Sequence, residues 1–183
     1  MPKFSITKGF LITPPDLCTR CLLVVLRVIR SSSSTPKIIL LSSTGITHVS
    51  HKALPLLYKP LYSTALAAAH DDKRGMERLV YHVSGWEWDE AHDSVPHSIL
   101  PADWKSGVEG GWMTSALLIN AALLTDGDCK ADNVENGNAP YRVQEGELKG
   151  AYTVSRRDVA HFIVERALKE WDAWGNKHVT ITY

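Results

Sequence analysis

The sequence predicts an α/β domain in which a mostly parallel sheet is flanked by helices, and three observations carry that prediction. The run Lys37-Ile38-Ile39-Leu40-Leu41 is apolar or long-stemmed throughout and stops at Ser42-Ser43-Thr44-Gly45, as a buried parallel strand does when it delivers polar groups to the carboxyl edge of a sheet. Segments with helical spacing stand on both sides of it, at Leu17 to Ile29 and at Leu61 to Val83. The chain closes on His178 to Tyr183, alternating and β-branched, which reads as a further strand.

Length and charge narrow the function. With 183 residues, 44% of them hydrophobic and 22% charged, residues 1–183 have the composition of a single domain with a sizeable core. Twenty basic residues balance twenty acidic ones, so no net field favours nucleic acid or an anionic membrane. The apolar run Leu22 to Ile29 is interrupted by Arg27 and flanked by Arg20 and Arg30, whereas a bilayer span needs about 20 apolar residues. The first thirty residues are basic and followed by Ser31 to Ser34, a pattern shared with organellar transit peptides, but an intact N-terminal helix is the favoured reading. Three cysteines, an odd number, fit a reducing, cytoplasmic location.

Taken in order, residues 1–35 form a divergent N-terminal segment. In it Gly9 to Thr13 is a candidate strand, and Asp16 is a candidate cap for a helix burying Leu17, Cys21, Leu22, Val25, Leu26 and Ile29. After the strand at 37–41 comes a loop with His48, His51 and Pro55, then one helix from Leu61 to Val83 that Gly85 stops. Residues 86–111 are a long loop insertion carrying Trp86, Trp88 and Trp104, which either staple the loop to the core or offer an aromatic contact surface. Trp112 to Leu118 is the next strand, and Leu123-Leu124-Thr125-Asp126-Gly127 is its polar exit. Asp132 to Asn138 is a polar loop. Ser155 with Asp158 three residues on makes a capping box opening a helix that buries Val159, Phe162, Ile163, Ala167 and Leu168 and stops near Gly175.

Most of the reactive residue types lack a pattern. Cys18-x-x-Cys21 has no second pair to complete a zinc site, and the eight histidines form neither His-x-His nor His-Glu-x-x-His, so no metal is expected. Gly107, Gly110 and Gly111 precede a strand rather than follow one, and no Gly-x-Gly-x-x-Gly, Gly-x-Ser-x-Gly or phosphate loop occurs. What remains is a series: Ser42-Ser43-Thr44-Gly45 at a strand end, His70-Asp71-Asp72-Lys73 on a helix, Leu124-Thr125-Asp126-Gly127, and Ser155-Arg156-Arg157-Asp158-Val159-Ala160.

That series, over roughly Pro36 to Tyr183, resembles the atypical short-chain dehydrogenases, and in particular their NAD(P)-binding, NmrA-like branch found widely in fungi. The resemblance implies a partial Rossmann-like, doubly wound sheet and an NAD(P)-dependent oxidoreductase or redox sensor. It implies that Ser42, Ser43 and Thr44 face the nicotinamide half of NAD(P) and that Lys73 reaches its ribose hydroxyls, leaving Ser43 and Lys73 as the catalytic candidates.

Three departures accompany it. Ala69 stands four residues before Lys73, where the superfamily has the proton-donating tyrosine. Asn120-Ala121 stands where the family has Arg-Pro, losing a guanidinium and a rigid turn. Only 35 residues precede the strand, too few for the family's first strand, glycine loop and first helix. In the order 3-2-1-4-5-6 the strand 37–41 is the fourth and lacks its neighbour, an edge expected to be covered by residues 9–13 or by self-association of two chains, or else to be poorly ordered. The alternative function is a non-catalytic interaction or regulatory protein that keeps the sheet but not the cofactor.

Overall fold

The computed structural model describes residues 3–5, 9–11, 13–32, 34–133 and 140–183. In chain order its elements are β1 (Lys3–Ser5), β2 (Gly9–Leu11), α1 (Leu17–Arg30), β3 (Ile38–Ser43), α2 (His48–Ala53), α3 (Lys59–Thr64), α4 (Ala67–Ser84), β4 (Ala116–Ala121), β5 (Leu123–Thr125), β6 (Arg142–Glu145), β7 (Thr153–Ser155), α5 (Arg156–His161), α6 (Trp171–Trp174) and β8 (Lys177–Thr182). The chain divides into two compact units. Met1–Pro36, Ile46–His48 and Leu56–Ser115 make the first; Lys37–Gly45, Val49–Pro55 and Ala116–Tyr183 make the second.

The second unit holds the mostly parallel sheet that the apolar runs predict. Its order is β3-β4-β8-β6, with β3, β4 and β8 parallel and β6 antiparallel to β8. Every residue of β4 is buried, which is why Ala116 to Ala121 shows almost no polar alternation. One face of the sheet carries Leu117, Ile119, Ala121, Val179 and Ile181 into a core with Val159, Phe162 and Ala167. Between α5 and α6 the helix widens into a π turn at Phe162–Ala167, which rotates the later residues and leaves Leu168 exposed instead of buried as its spacing predicts. A separate parallel pair, β5 with β7, aligns Leu124 with Val154 and Thr125 with Ser155. β3 is the end strand of the four, and β2 pairs with β1.

In the first unit α1 packs on α4, but the buried stripe of α1 is Thr19, Leu22 and Leu26, while Leu17, Cys21 and Val25 are exposed. Asp16 makes no side-chain cap; it pairs with Arg20. The start of α1 is held instead by Asp72 of α4, whose carboxylate accepts the Cys18 and Thr19 amides at 2.8 and 2.9 Å, while the Thr19 hydroxyl donates to the Asp72 carbonyl at 2.7 Å. This polar pin turns Thr19 towards α4, and apolar spacing alone does not register it. Gly75 makes room: a Cβ there would collide with the Thr19 hydroxyl and lie 2.7 Å from Ile99 Cγ2.

Other boundaries differ from the sequence reading. The His48–His51 region is the helix α2 rather than a loop, and the expected helix 61–83 is two helices, α3 and α4. β4 begins at Ala116 rather than Trp112, because Met113 N–H is still bonded to the Val83 carbonyl at the exit of the long loop. Gly85 does end α4, in the left-handed conformation at φ 71°. Residues 134–138 of the expected polar loop lie outside the described residues, as does Ile12 of the candidate strand at 9–13.

Candidate functional site

β3 runs two residues further than the apolar run suggests, so Ser42 and Ser43 are inside it and point to opposite faces. Ser43 lies opposite Ala121, on the side of the hydrophobic core, and its hydroxyl donates to the Thr44 carbonyl. Ser42 lies directly opposite Asn120, and Asn120 in turn opposite Thr180, forming a polar row across three parallel strands. Thr44 continues the ladder through its amide, bonded to the Ala121 carbonyl at 3.0 Å. Gly45 follows at φ 82°, and its amide is held by the Ser50 hydroxyl at 2.7 Å.

That row has an electrostatic peculiarity. Ser42, Thr44 and Asn120 are all buried, yet Ser42 Oγ, Thr44 Oγ1 and both polar atoms of the Asn120 amide have no hydrogen-bond partner among the described residues. Thr180, in the same row, is satisfied by donating to the Gly146 carbonyl at 2.7 Å. Each unpaired buried group costs about 1–3 kcal/mol, so native cores rarely leave several together. These side chains sit at the carboxyl ends of adjacent parallel strands, where open α/β sheets bind ligands. The reading from sequence picked out Ser42 and Thr44 but met Asn120 only as a lost arginine.

Lys73 belongs to the first unit, half-buried on α4 between Asp72 and Arg74, whereas Ser42, Ser43 and Thr44 belong to the second. Asp72 serves as the cap of α1 described above.

Of the expected capping box one half forms, Ser155 Oγ accepting the Asp158 amide at 2.9 Å; the Ser155 amide donates to the Tyr183 hydroxyl at 3.1 Å instead of to Asp158, leaving that carboxylate for other donors. The Asp158 carboxylate is buried and accepts from the Ser155 hydroxyl, the Tyr183 hydroxyl at 2.6 Å, and the Lys130 and Ala131 amides. Burial alone would raise its pKa, but these donors outweigh burial and hold it below the usual carboxylate range. Asp158 thereby ties the loop after Leu124-Thr125-Asp126-Gly127 to the chain's C-terminal residue, and Arg156–Asp126 and Arg157–Asp128 ion pairs reinforce the join. Two motifs distant in sequence are one structural joint.

Cys18 and Cys129 are not poised as nucleophiles. Burial first, and then the Asp72 carboxylate, push the Cys18 thiol up; burial likewise raises that of Cys129. Among the described residues, no three His, Cys, Asp or Glu side chains are placed to hold a metal, and no helix is long and apolar enough to cross a membrane.

No known family model matches the sequence. The chain is similar to the reductase pytE of Aspergillus terreus, 32% identical over 176 residues that take in 92% of this chain and 58% of that protein. The chain thus spans little more than half the length of its reductase relative. A crystallised protein of Burkholderia pseudomallei shares 15% identity at a TM-score of 0.45, over 90% of this chain and 65% of that one, too remote to assign fold or function.

Proposed function

We propose that the sheet edge at Ser42, Thr44 and Asn120 holds the nicotinamide end of NAD(P), and that the protein is a cofactor-binding member of a reductase group, of the atypical short-chain dehydrogenase kind. The observation that carries this is the row of buried, unpartnered hydroxyl and amide groups at the carboxyl end of β3 and β4. A nicotinamide carboxamide has one acceptor and two donors, and the unpaired Asn120 amide with the Ser42 and Thr44 hydroxyls offers the complementary groups. The 32% identity to a reductase supports the same reading. The sequence holds no glycine-rich phosphate loop, so the nicotinamide end is what this row can fix.

Within this reading, Ser43 faces the hydrophobic core and Lys73 belongs to the first unit, so neither is assigned a cofactor contact, and NAD(P) when bound supplies the hydride. Ala69 leaves the usual tyrosine's place without a proton donor. Binding without turnover is the non-catalytic alternative, a sensor or regulatory protein. Calorimetric titration of NADPH and NADH tests binding, and NADPH oxidation in the presence of carbonyl compounds as hydride acceptors, followed at the absorbance of the reduced nicotinamide, separates reductase from sensor. Absence of both heat and thermal shift at millimolar cofactor overturns the proposal.

A further inference from the structure

The first unit carries a cleft that the dinucleotide reading does not use. The insertion after α4 closes on itself: Gly85 and Gly111 both donate their amides to the His82 carbonyl, at 3.2 and 3.0 Å, and the His82 ring bonds the Val108 carbonyl at 3.0 Å. The segment between is a compact loop clasped at its neck, and between it and α4 lies a cleft of about 270 Å³. Its polar lining is Arg78, Lys105, His97 and Glu90; its apolar lining includes Val95, Leu100 and Trp104.

Arg78 is the built part of this cleft. Its side chain is only 12% exposed, and its guanidinium lies 5.8 Å from the Trp88 ring and 5.4 Å from the Trp104 ring, gripped by both. Lys105 Nζ lies 5.5 Å from the Trp104 ring. The guanidinium's acidic partner is Glu90, at 2.5 Å, whose own side chain is 62% exposed. An ion pair with one partner so exposed contributes little, so Glu90 can leave at little cost while the tryptophans keep Arg78 in place.

We propose that the cleft binds a small organic carboxylate with an apolar body, whose carboxylate takes the place of Glu90 on Arg78 and Lys105 while the body rests on Val95, Leu100 and Trp104. The volume lies just below the range of about 300–1,000 Å³ usual for drug-sized ligands, which limits the ligand to a compact acid. Glu90 is then an internal competitor.

Benzoate is the probe, titrated into the full chain while the indole N–H signals of Trp88 and Trp104 are followed by NMR. Saturable shifts at millimolar benzoate are expected, with affinity about tenfold higher in Glu90→Ala and several-fold lower in Lys105→Met, an exposed site whose change leaves the fold intact. Arg78→Met should abolish the response. Benzyl alcohol, which keeps the ring and lacks the charge, should give no saturable shift, nor should inorganic phosphate. Equal binding of either control, unchanged benzoate affinity in Glu90→Ala, or no saturation by benzoate in the wild type would overturn the proposal.

Discussion

Ser42 and Asn120 face each other across the parallel ladder of β3 and β4, both buried, with no hydrogen-bond partner for the side-chain polar atoms of either among the described residues. If these atoms await a ligand, the unliganded protein bears their cost. Asn120→Leu, apolar and of similar volume, should therefore raise the melting temperature of the cofactor-free protein by about 3–6 °C. A melting temperature lowered by the same change, read by calorimetry, would show that Asn120 stabilises the empty protein.

Asp158 and Tyr183 give the opposite expectation, because their polar atoms are paired. Asp158→Asn weakens the five hydrogen bonds the carboxylate accepts and should cost about 3 kcal/mol, while Tyr183→Phe removes one charge-assisted bond and the acceptor of the Ser155 amide, at about 2–3 kcal/mol. Urea denaturation of the two variants measures both. The carboxylate's depressed pKa fixes the sign with pH: its contribution is present above the unfolded carboxyl pKa and is lost as pH falls through the lower folded value.

His178, on the central strand β8, acts in a different window. Burial lowers its pKa to about 4, so between roughly 6.5, the unfolded value, and 4 the unfolded chain binds the proton first. Stability should then fall as pH drops through that window, by at most about 1.4 kcal/mol per pH unit, and be independent of this group above it. Histidine-to-glutamine substitution at 178 should flatten the slope of urea midpoint against pH; an unchanged slope would assign it to other groups.

The join of α1 to α4 is tested at Gly75. Gly75→Ala places a methyl against Thr19 and Ile99 and should cost about 1–3 kcal/mol, even though alanine is the better helix former. Asp72→Ala strips the Cys18 and Thr19 amides of their acceptor and should cost a further amount of about the same size. Thermal unfolding of both variants reads these costs.

How much of this was legible in the residues follows from the range of the interactions. The apolar strand run, the Gly85 stop, the Ser155 cap and the final strand are local patterns, and all are found in the structure, but β3 is not the buried strand its run predicts: as the end strand it leaves Ile38 to Leu40 half-buried and Leu41 exposed. The rotation of α1 was not legible, since an aspartate 53 residues from Thr19 sets it and the apolar spacing admits either face. The π turn after His161 and the antiparallel β6 answer to packing against the sheet rather than to their own composition. At the site, Ser42 and Thr44 stood out because polar residues ending an apolar strand are a local signal. Asn120 did not, because its meaning comes from the register that sets it opposite Ser42.

The central claim is tested most directly by titrating NADPH and NADH calorimetrically into the wild type and Asn120→Leu. The account predicts saturable binding of at least one cofactor to the wild type and binding weaker by about tenfold or more in the variant, with the variant's cofactor-free melting temperature raised. No heat and no melting shift with either cofactor at millimolar concentration, or equal affinity in the two proteins, would contradict it.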